Sequence, residues 1–461
     1  MFSSTSRNFI KGFVSNSANR PLIAVCQLTS THDVEQNFRI ISTMIERAKQ
    51  RNAQMVFLPE CFDYVGRTRE ENISLAVDEE GEYIGRYRQL AKTSGLWISL
   101  GGFHHKDPNN IGKPFNTHLI IDNEGRTRGR YQKLHLFDLD IPGKVRLVES
   151  EFSSAGNKIE RPVQTPIGNV ALSICYDVRF SELALLHRHN GAHILTYPSA
   201  FTLNTGLAHW ETLLRARAIE TQCFVVAAAQ TGKHNEKRVS YGHSMVVDPW
   251  GTIIAQCSDV MDMCFCEISL DYLNEVRAVQ PVFSHRRNDL YCLIAHEKQE
   301  IGDKSFTFGD NIIDADYVFY QSSHCFAFVN HSPVLPGRKY HTNLDVLVCP
   351  KRQVIRLLEL EDFETADIFM AAKRIQTILE AHYSASSSSV CVQDGPDSGQ
   401  TIKHVHVHIL PRKKGDFDGN PDRLYKELVE HDKSGKVKQI RNAESMREEA
   451  ATYRNLLSYS A

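Results

Sequence analysis

VALSICYDVRF, from Val170 to Phe180, reads as a strand running into a helix. Val170 to Ile174 is short and rich in β-formers, and the turn signal Thr165-Pro166-Ile167-Gly168 bounds it upstream. Ser181-Glu182 then opens a helical pattern with Leu183, Leu185 and Leu186. Cys175 falls at the joint. A thiol in such a turn reaches solvent with backbone N–H groups close by, which is the placement a thiolate nucleophile needs. The same residue also fits inert packing, because free cysteine is among the most buried residue types. The rest of the chain has to supply a base and an electrophile.

Outward from that stretch, strand and helix alternate. Leu22 to Leu28, Met55 to Leu58, Trp97 to Phe103, Asn116 to Ile121 and Thr127 to Tyr131 read as strands, as do His193 to Tyr197, Phe224 to Ala229, Ser244 to Asp248, Thr252 to Cys257 and Cys264 to Leu270. Val34 to Lys49, Tyr83 to Thr93, Glu182 to His189 and His209 to Gln222 carry helical spacing. The class is α/β, a layered domain with two sheets inside and helices outside. Glu60 follows a strand directly (VFLPE), Lys133 follows another (RYQKLHLF), and Glu149 lies in the loop VRLVESEF. Each alone reads as a surface charge, since Lys and Glu are seldom buried unpaired. Together with Cys175 they divide the labour of acyl transfer. A carboxylate takes the thiol proton and returns it to a leaving amine. A lysine, with the Tyr176 N–H, holds a developing oxyanion.

VFLPECF, GRYQKLHLFD and LSICYDVRF, in that order, resemble the three signature segments of the nitrilase superfamily over roughly Leu22 to His296. The resemblance implies an αββα sandwich, with Glu60 as general base, Lys133 as oxyanion stabiliser, Cys175 as nucleophile and Glu149 as a further active-site glutamate. ESEFSSAG, TYPSAF and GHSMVVDPWG are similar to the amidase branch that pairs with Fhit and hydrolyses deaminated glutathione. The substrate implied is a small-molecule amide, attacked to a thioester that water then opens. Arg179 and His209 are candidate contacts for an anionic substrate. Arg179 equally fits an ion pair with Asp177 or Glu182.

The chain has 461 residues, which implies more than one domain. Hydrophobic residues make up 42% and charged residues 23%, so a core is affordable in composition. A net charge of −2 argues against a nucleic acid polymer as partner, and no apolar run reaches the length of a membrane span. The 11 cysteines are scattered and include no C-x-x-C pair, which suits free thiols in a reducing compartment. Residues 1–20 hold Arg7, Lys11 and Arg20, many serines and no acid, with Phe2, Phe9, Ile10, Phe13 and Val14 along one helical face. That is the composition of a mitochondrial transit peptide, or of a disordered terminus. The address expected is the cytoplasm, with the mitochondrion as the alternative. Residues 21–296 form the first domain expected, 297–305 a polar linker and 306–461 a second domain.

In the second domain Val318 to Tyr320, Cys325 to Asn330, Val346 to Cys349 and Val390 to Gln393 read as strands, Ser384 to Ser389 as a turn, and Thr365 to Tyr383 as an amphipathic helix. KHVHVHILPR alternates strictly, so His404, His406 and His408 share one strand face. Such a face suits a metal or acid–base and nucleophilic work on a phosphate. With no carboxylate or cysteine ligand adjacent, and with Gln400, Thr401, Arg412, Lys413 and Lys414 flanking it, phosphate is favoured and no structural metal site is expected. QDGPDSGQTIKHVHVHILPRKKGDF resembles the Fhit branch of the histidine triad (HIT) superfamily over about Phe306 to Leu457, which implies an α+β domain. The resemblance implies that His406 is the nucleophile, that His408 assists the leaving phosphate and that His404 orders the site. Asn330 and Gln400 match nucleotide-contacting positions. The reaction implied is diadenosine triphosphate hydrolysis to AMP and ADP through a nucleotidyl-histidine. No cofactor is held by the protein, and a divalent cation (Mg or Mn) comes with the dinucleoside polyphosphate.

The chain departs from that family at one place. Pro336-Gly337 should run through a histidine straight into the strand, but RKYHTNLD intervenes, from Arg338 to Asp345. A loop insertion is thermodynamically cheap, so the fold survives while turnover is expected to fall, and nothing fixes His341 beside the triad. Two resemblances in one chain imply a fused, bifunctional hydrolase. The alternative is a dinucleotide-binding signalling or scaffold protein with a weak HIT site. Both families assemble through dimers, so the resemblance implies a homotetramer.

Overall fold

The structure, a computed structural model, describes residues 20–110, 112–141, 145–287, 290–291, 293, 305–331, 345–416, 420, 423 and 441–459. The expected N-terminal leader up to residue 19, nearly all of the expected linker and His341 lie outside the described residues. The chain divides into two compact units at Arg286/Arg287.

In the first unit, strand Leu22–Leu28 explains the layers. Ile23 and Val25 pack with Met55, Phe57, Val170, Leu172, Ile194 and Phe224, between two sheets. Ala24, Cys26 and Leu28 point the other way, onto Ile41, Ile45, Ile84 and Tyr87. Period-2 alternation with apolar residues on both faces is the mark of a strand covered on both sides. The first sheet runs Val239–Tyr241, Ala229–Lys233, Leu22–Leu28, Met55–Phe57, Trp97–His105, Phe115–Ile121, Thr127–Gln132, with Asp262–Glu267 also paired to Leu22–Leu28. The second runs Ile253–Gln256, Met245–Val247, Phe224–Ala227, Ile194–Thr196, Gly168–Ala171, Val163–Thr165. Helices Val34–Gln50 and Glu82–Ser94 cover the first sheet. Helices Ser181–His189 and Leu203–Thr221 cover the second through Ala184, Trp210, Leu214 and Ala218. The result is an αββα sandwich.

Three elements differ from the sequence reading. The strand before Cys175 pairs only over Gly168–Ala171. Thr196 Oγ1 donates to the Ala171 carbonyl at 2.7 Å, where the next ladder bond would form, and Leu172 to Ile174 continue unpaired into the elbow. The apolar run Phe224 to Ala229 is two strands: Phe224–Ala227 belongs to the second sheet and Ala229–Lys233 to the first, with Ala228 the crossing point. Helix Leu203–Thr221 begins six residues before the expected His209, capped by Thr202, whose hydroxyl accepts from Thr205 N.

The second unit has a five-stranded antiparallel sheet in the order Val318–Gln321, Cys325–Val329, Val346–Pro350, Val407–Arg412, Ser387–Val392. Helices Asp362–Tyr383 and Ala443–Tyr459 cover one face, packing on Val346, Val348, Val407 and Ile409. Leu347 and Cys349 point to the opposite face, with Phe308, Phe326 and Phe328. The serine run expected as a turn is the start of edge strand Ser387–Val392.

Candidate active sites

In the first unit four elements converge. Glu60 stands three residues past strand Met55–Phe57, at its C-terminal end, and is buried. Its Oε1 accepts from Asn116 Nδ2 at 2.8 Å and Lys133 Nζ at 3.1 Å, and its Oε2 from the Ala200 N–H at 2.9 Å. Lys133 is buried too, and its Nζ also reaches both oxygens of Glu149, at 2.9 and 2.8 Å. Glu149 Oε2 accepts the Phe137 N–H at 2.7 Å. The Cys175 side chain faces both the Glu60 carboxylate and the Ala200 N–H. The structure therefore brings Glu60, Lys133, Glu149 and Cys175 together.

Charges follow from that geometry. Burial and then the neighbouring Glu60 push the Cys175 thiol well up, so it rests protonated. Burial pushes Glu60 up, but the Lys133 and Arg238 charges and its hydrogen bonds outweigh this and hold it below the ordinary 4.5, as carboxylate. Burial pulls Lys133 down, while Glu149 and Glu60 override it and keep it an ammonium. A thiol beside a carboxylate that is itself tied to an ammonium is a nucleophile and base held ready.

The elbow is held by Asp177. Its Oδ2 accepts the Ile174 N–H at 2.8 Å and the Tyr131 hydroxyl at 2.7 Å, and its Oδ1 accepts His135 Nδ1 at 2.7 Å. One buried carboxylate thus ties both flanks of Lys133 to the turn that carries Cys175. Cys175 has φ +46°, a left-handed conformation that costs a non-glycine residue of order 1–3 kcal/mol. The surrounding bonds enforce it: its N–H donates to the Pro198 carbonyl at 2.9 Å, and Arg217 Nε donates to the Val178 carbonyl at 2.8 Å. Arg179 makes no ion pair with Asp177 or Glu182. Its Nη2 lies 3.2 Å from His209 Nδ1, so the ion-pair reading of Arg179 does not hold.

In the second unit His404, His406 and His408 are all buried. Their partners fix the ring tautomers, because an N–H can only donate and a carbonyl only accept. Gly309 N–H donates to His404 Nδ1 at 3.1 Å, so His404 Nε2–H donates to the Pro350 carbonyl at 3.0 Å. His406 Nδ1 donates to the His404 carbonyl at 2.8 Å, which leaves the ring's lone pair on Nε2. His408 Nδ1 lies 3.0 Å from Asp345 Oδ1, and the His406 and His408 ring centroids are 5.0 Å apart. The ladder begins only at Val407, so His404 and His406 precede it. Gln400 braces its loop, its Oε1 accepting the Gly395 N–H at 2.9 Å and its Nε2 donating to the Ile355 carbonyl at 2.8 Å. Asn330 Nδ2 donates to Asp345 Oδ2 at 2.7 Å. No group of three or more His, Cys, Asp or Glu among the described residues could hold a metal ion.

Residues 22–278 match the carbon-nitrogen hydrolase family and residues 314–415 the HIT domain. The chain is 58% identical over 439 residues to the nitrilase and fragile histidine triad fusion protein NitFhit of Caenorhabditis elegans, covering 95% of this chain and 97% of that one. The chain belongs to the nitrilase–Fhit fusion family. The crystal structure of the C. elegans NitFhit protein aligns with a TM-score of 0.84 at 56% identity, over 96% of this chain and all of that one. Human deaminated glutathione amidase is 50% identical over 284 residues, 61% of this chain and 87% of its own length. This fusion is therefore a hydrolase with a nitrilase-fold amidase unit and a HIT unit.

Several residues of the fusion's two centres carry no sequence signal of their own. Asn116 is a polar residue within an ordinary strand. Arg238 lies in the loop of the hairpin Ala229–Lys233/Val239–Tyr241, half-buried, and its charge acts on Cys61, Glu60, Cys175 and Glu149. Asp345 is the last residue of the insertion that seemed only to displace a histidine.

Proposed function

We propose that the first centre hydrolyses a small anionic amide of the deaminated-glutathione type. The single observation that carries this is the Cys175 thiol facing a Glu60 carboxylate that Lys133 also holds. The sulfur attacks the carboxamide carbon as Glu60 takes its proton. The carbonyl electron pair moves to oxygen, which Lys133 Nζ and the Tyr176 N–H stabilise. Glu60 returns the proton to nitrogen, the C–N bond breaks and the amine leaves. Water, deprotonated by Glu60, then opens the thioester and restores the thiol. Glu149 shares the Lys133 charge, so Glu60 is not fully neutralised as a base. Arg179 and Arg238 supply positive charge for the substrate's carboxylates, and His209, whose Nδ1 accepts from Arg179 Nη2, is a further contact beside them.

The second centre, on this proposal, hydrolyses diadenosine triphosphate. His406 Nε2 attacks the α-phosphorus as ADP leaves with the electron pair of its P–O bond, and water then cleaves the P–N bond to release AMP. His408 assists the leaving phosphate and His404 holds His406 by its carbonyl. Mg or Mn arrives with the polyphosphate as part of the substrate. A homotetramer is the proposed assembly, and light scattering measures it.

A two-substrate assay tests the partition. Cys175→Ala abolishes amide hydrolysis and spares dinucleotide hydrolysis, and His406→Asn does the reverse. Loss of both activities in Cys175→Ala would overturn it.

A further inference from the structure

We propose that Asp345 is a positioning residue of the histidine triad, holding His408 by Nδ1 so that its Nε2 meets the leaving phosphate. The inference rests on the dinucleotide-hydrolase reading of the second centre. Three observations carry it. Asp345 Oδ1 lies 3.0 Å from His408 Nδ1, and a carboxylate facing a ring nitrogen accepts a hydrogen bond from its N–H, which fixes the tautomer. Asp345 is fully buried and its other oxygen accepts from Asn330 Nδ2 at 2.7 Å, so the carboxylate cannot swing away. The register builds the contact into the sheet. Leu347 pairs with His408, and alternation places Asp345 on the same face as Leu347, opposite the helices.

The insertion therefore does not leave His408 bare. It ends in a carboxylate at the position directly before Val346, where the family runs a histidine into the strand. Such a carboxylate–imidazole pair sets which nitrogen faces substrate and the angle of the ring, as outer partners of catalytic histidines generally do. His408 is the invoked group. Among the described residues, the titratable side chains shown against it include Asp345 across the sheet, His406 on its own segment and Cys391 opposite it on the edge strand.

The test uses the full chain and two substrates that differ in leaving group. Diadenosine triphosphate expels ADP, whose terminal phosphate is a base of near-neutral pKa and gains from a proton donor. The 2,4-dinitrophenyl ester of AMP expels 2,4-dinitrophenolate, a far weaker base that leaves unaided. Asp345→Asn keeps shape and burial. It is expected to lower kcat on diadenosine triphosphate by about tenfold to a hundredfold, with KM nearly unchanged, and to leave the ester and the amidase reaction within about threefold. Equal loss on both nucleotide substrates would make Asp345 a structural residue and overturn the proposal, as would no loss on either. If the wild type turns over neither nucleotide substrate, the triad reading itself fails and the inference falls with it.

Discussion

Gly101 lies against Leu58 and Pro198, which lead into the two sides of the amidase site, and Gly101→Ala tests that geometry. A Cβ there would lie 2.0 Å from the Leu58 carbonyl oxygen and 2.5 Å from Pro198 Cβ. Contacts under 3.0 Å are essentially never seen for a real Cβ, so backbone has to move by about 1 Å. Leu58 leads into Glu60. The Pro198 carbonyl accepts the Cys175 N–H, and Ala200 N–H donates to Glu60. The wedge thus separates base from nucleophile. Overpacking costs about 1–3 kcal/mol of stability, a modest loss in a unit this large, while a misplacement of about 1 Å costs on the order of 100-fold in rate. The expected result is kcat/KM for amide hydrolysis down about 100-fold, melting temperature down by a few degrees, and dinucleotide hydrolysis unchanged. Gly85, on helix Glu82–Ser94, meets nothing within 4 Å and is the control. Gly85→Ala is expected to be neutral or stabilising by about 0.5–1 kcal/mol. Full amidase activity in Gly101→Ala would refute the convergence described above.

Other expectations concern charge. Glu149→Gln leaves Lys133 leaning on Glu60 alone. The base weakens, kcat for the amide falls by about 100-fold, and thermal unfolding registers a loss of about 3 kcal/mol from the broken buried pair. Glu60 acts as its carboxylate and is held below 4.5, so the acid limb of amide kcat/KM in short assays lies below pH 4.5. An inflection at pH 5 or above contradicts the assigned base. Burial drives His118, His187 and His234 down to about 4 from 6.5. The unfolded chain binds their protons first, so stability is fully present above pH 6.5 and is lost as pH falls toward 4, by up to about 1.4 kcal/mol per pH unit per ring. Urea midpoints at pH 7.5 and pH 5 measure this, and His118→Asn should flatten the slope. Arg238→Ala should raise KM for the anionic amide about tenfold with kcat little changed, and an unchanged KM removes Arg238 from the substrate's path.

The layers of the first unit were legible because its elements have clear periods, and Glu60 and Lys133 because each follows a strand, whereas Glu149 and Cys175 joined them through the resemblance of the segments around them. The crossing at Ala228 was not legible, since an apolar run contains no mark of which sheet it serves. Ser387–Val392 was hidden because an edge strand tolerates serines that composition assigns to turns. Asp177 looked like a partner for Arg179, yet it faces inward, and only the folded chain shows Tyr131 and His135 reaching it. Asp345 was concealed by its context, because an acid at the end of an insertion reads as solvated loop until the register sets it against His408.

Glu60 and Lys133 belong to the first sheet's strand ends, whereas Cys175 and Ala200 follow strands of the second. The bond that joins the two sheets at the site spans 140 residues, from Ala200 to Glu60. Neither half of the sandwich holds a complete catalyst. During refolding, secondary structure and collapse precede such non-local closure, so amide hydrolysis should return last, in step with sheet docking. Turnover of a few substrate molecules is then a stopwatch for the slowest contact in the unit.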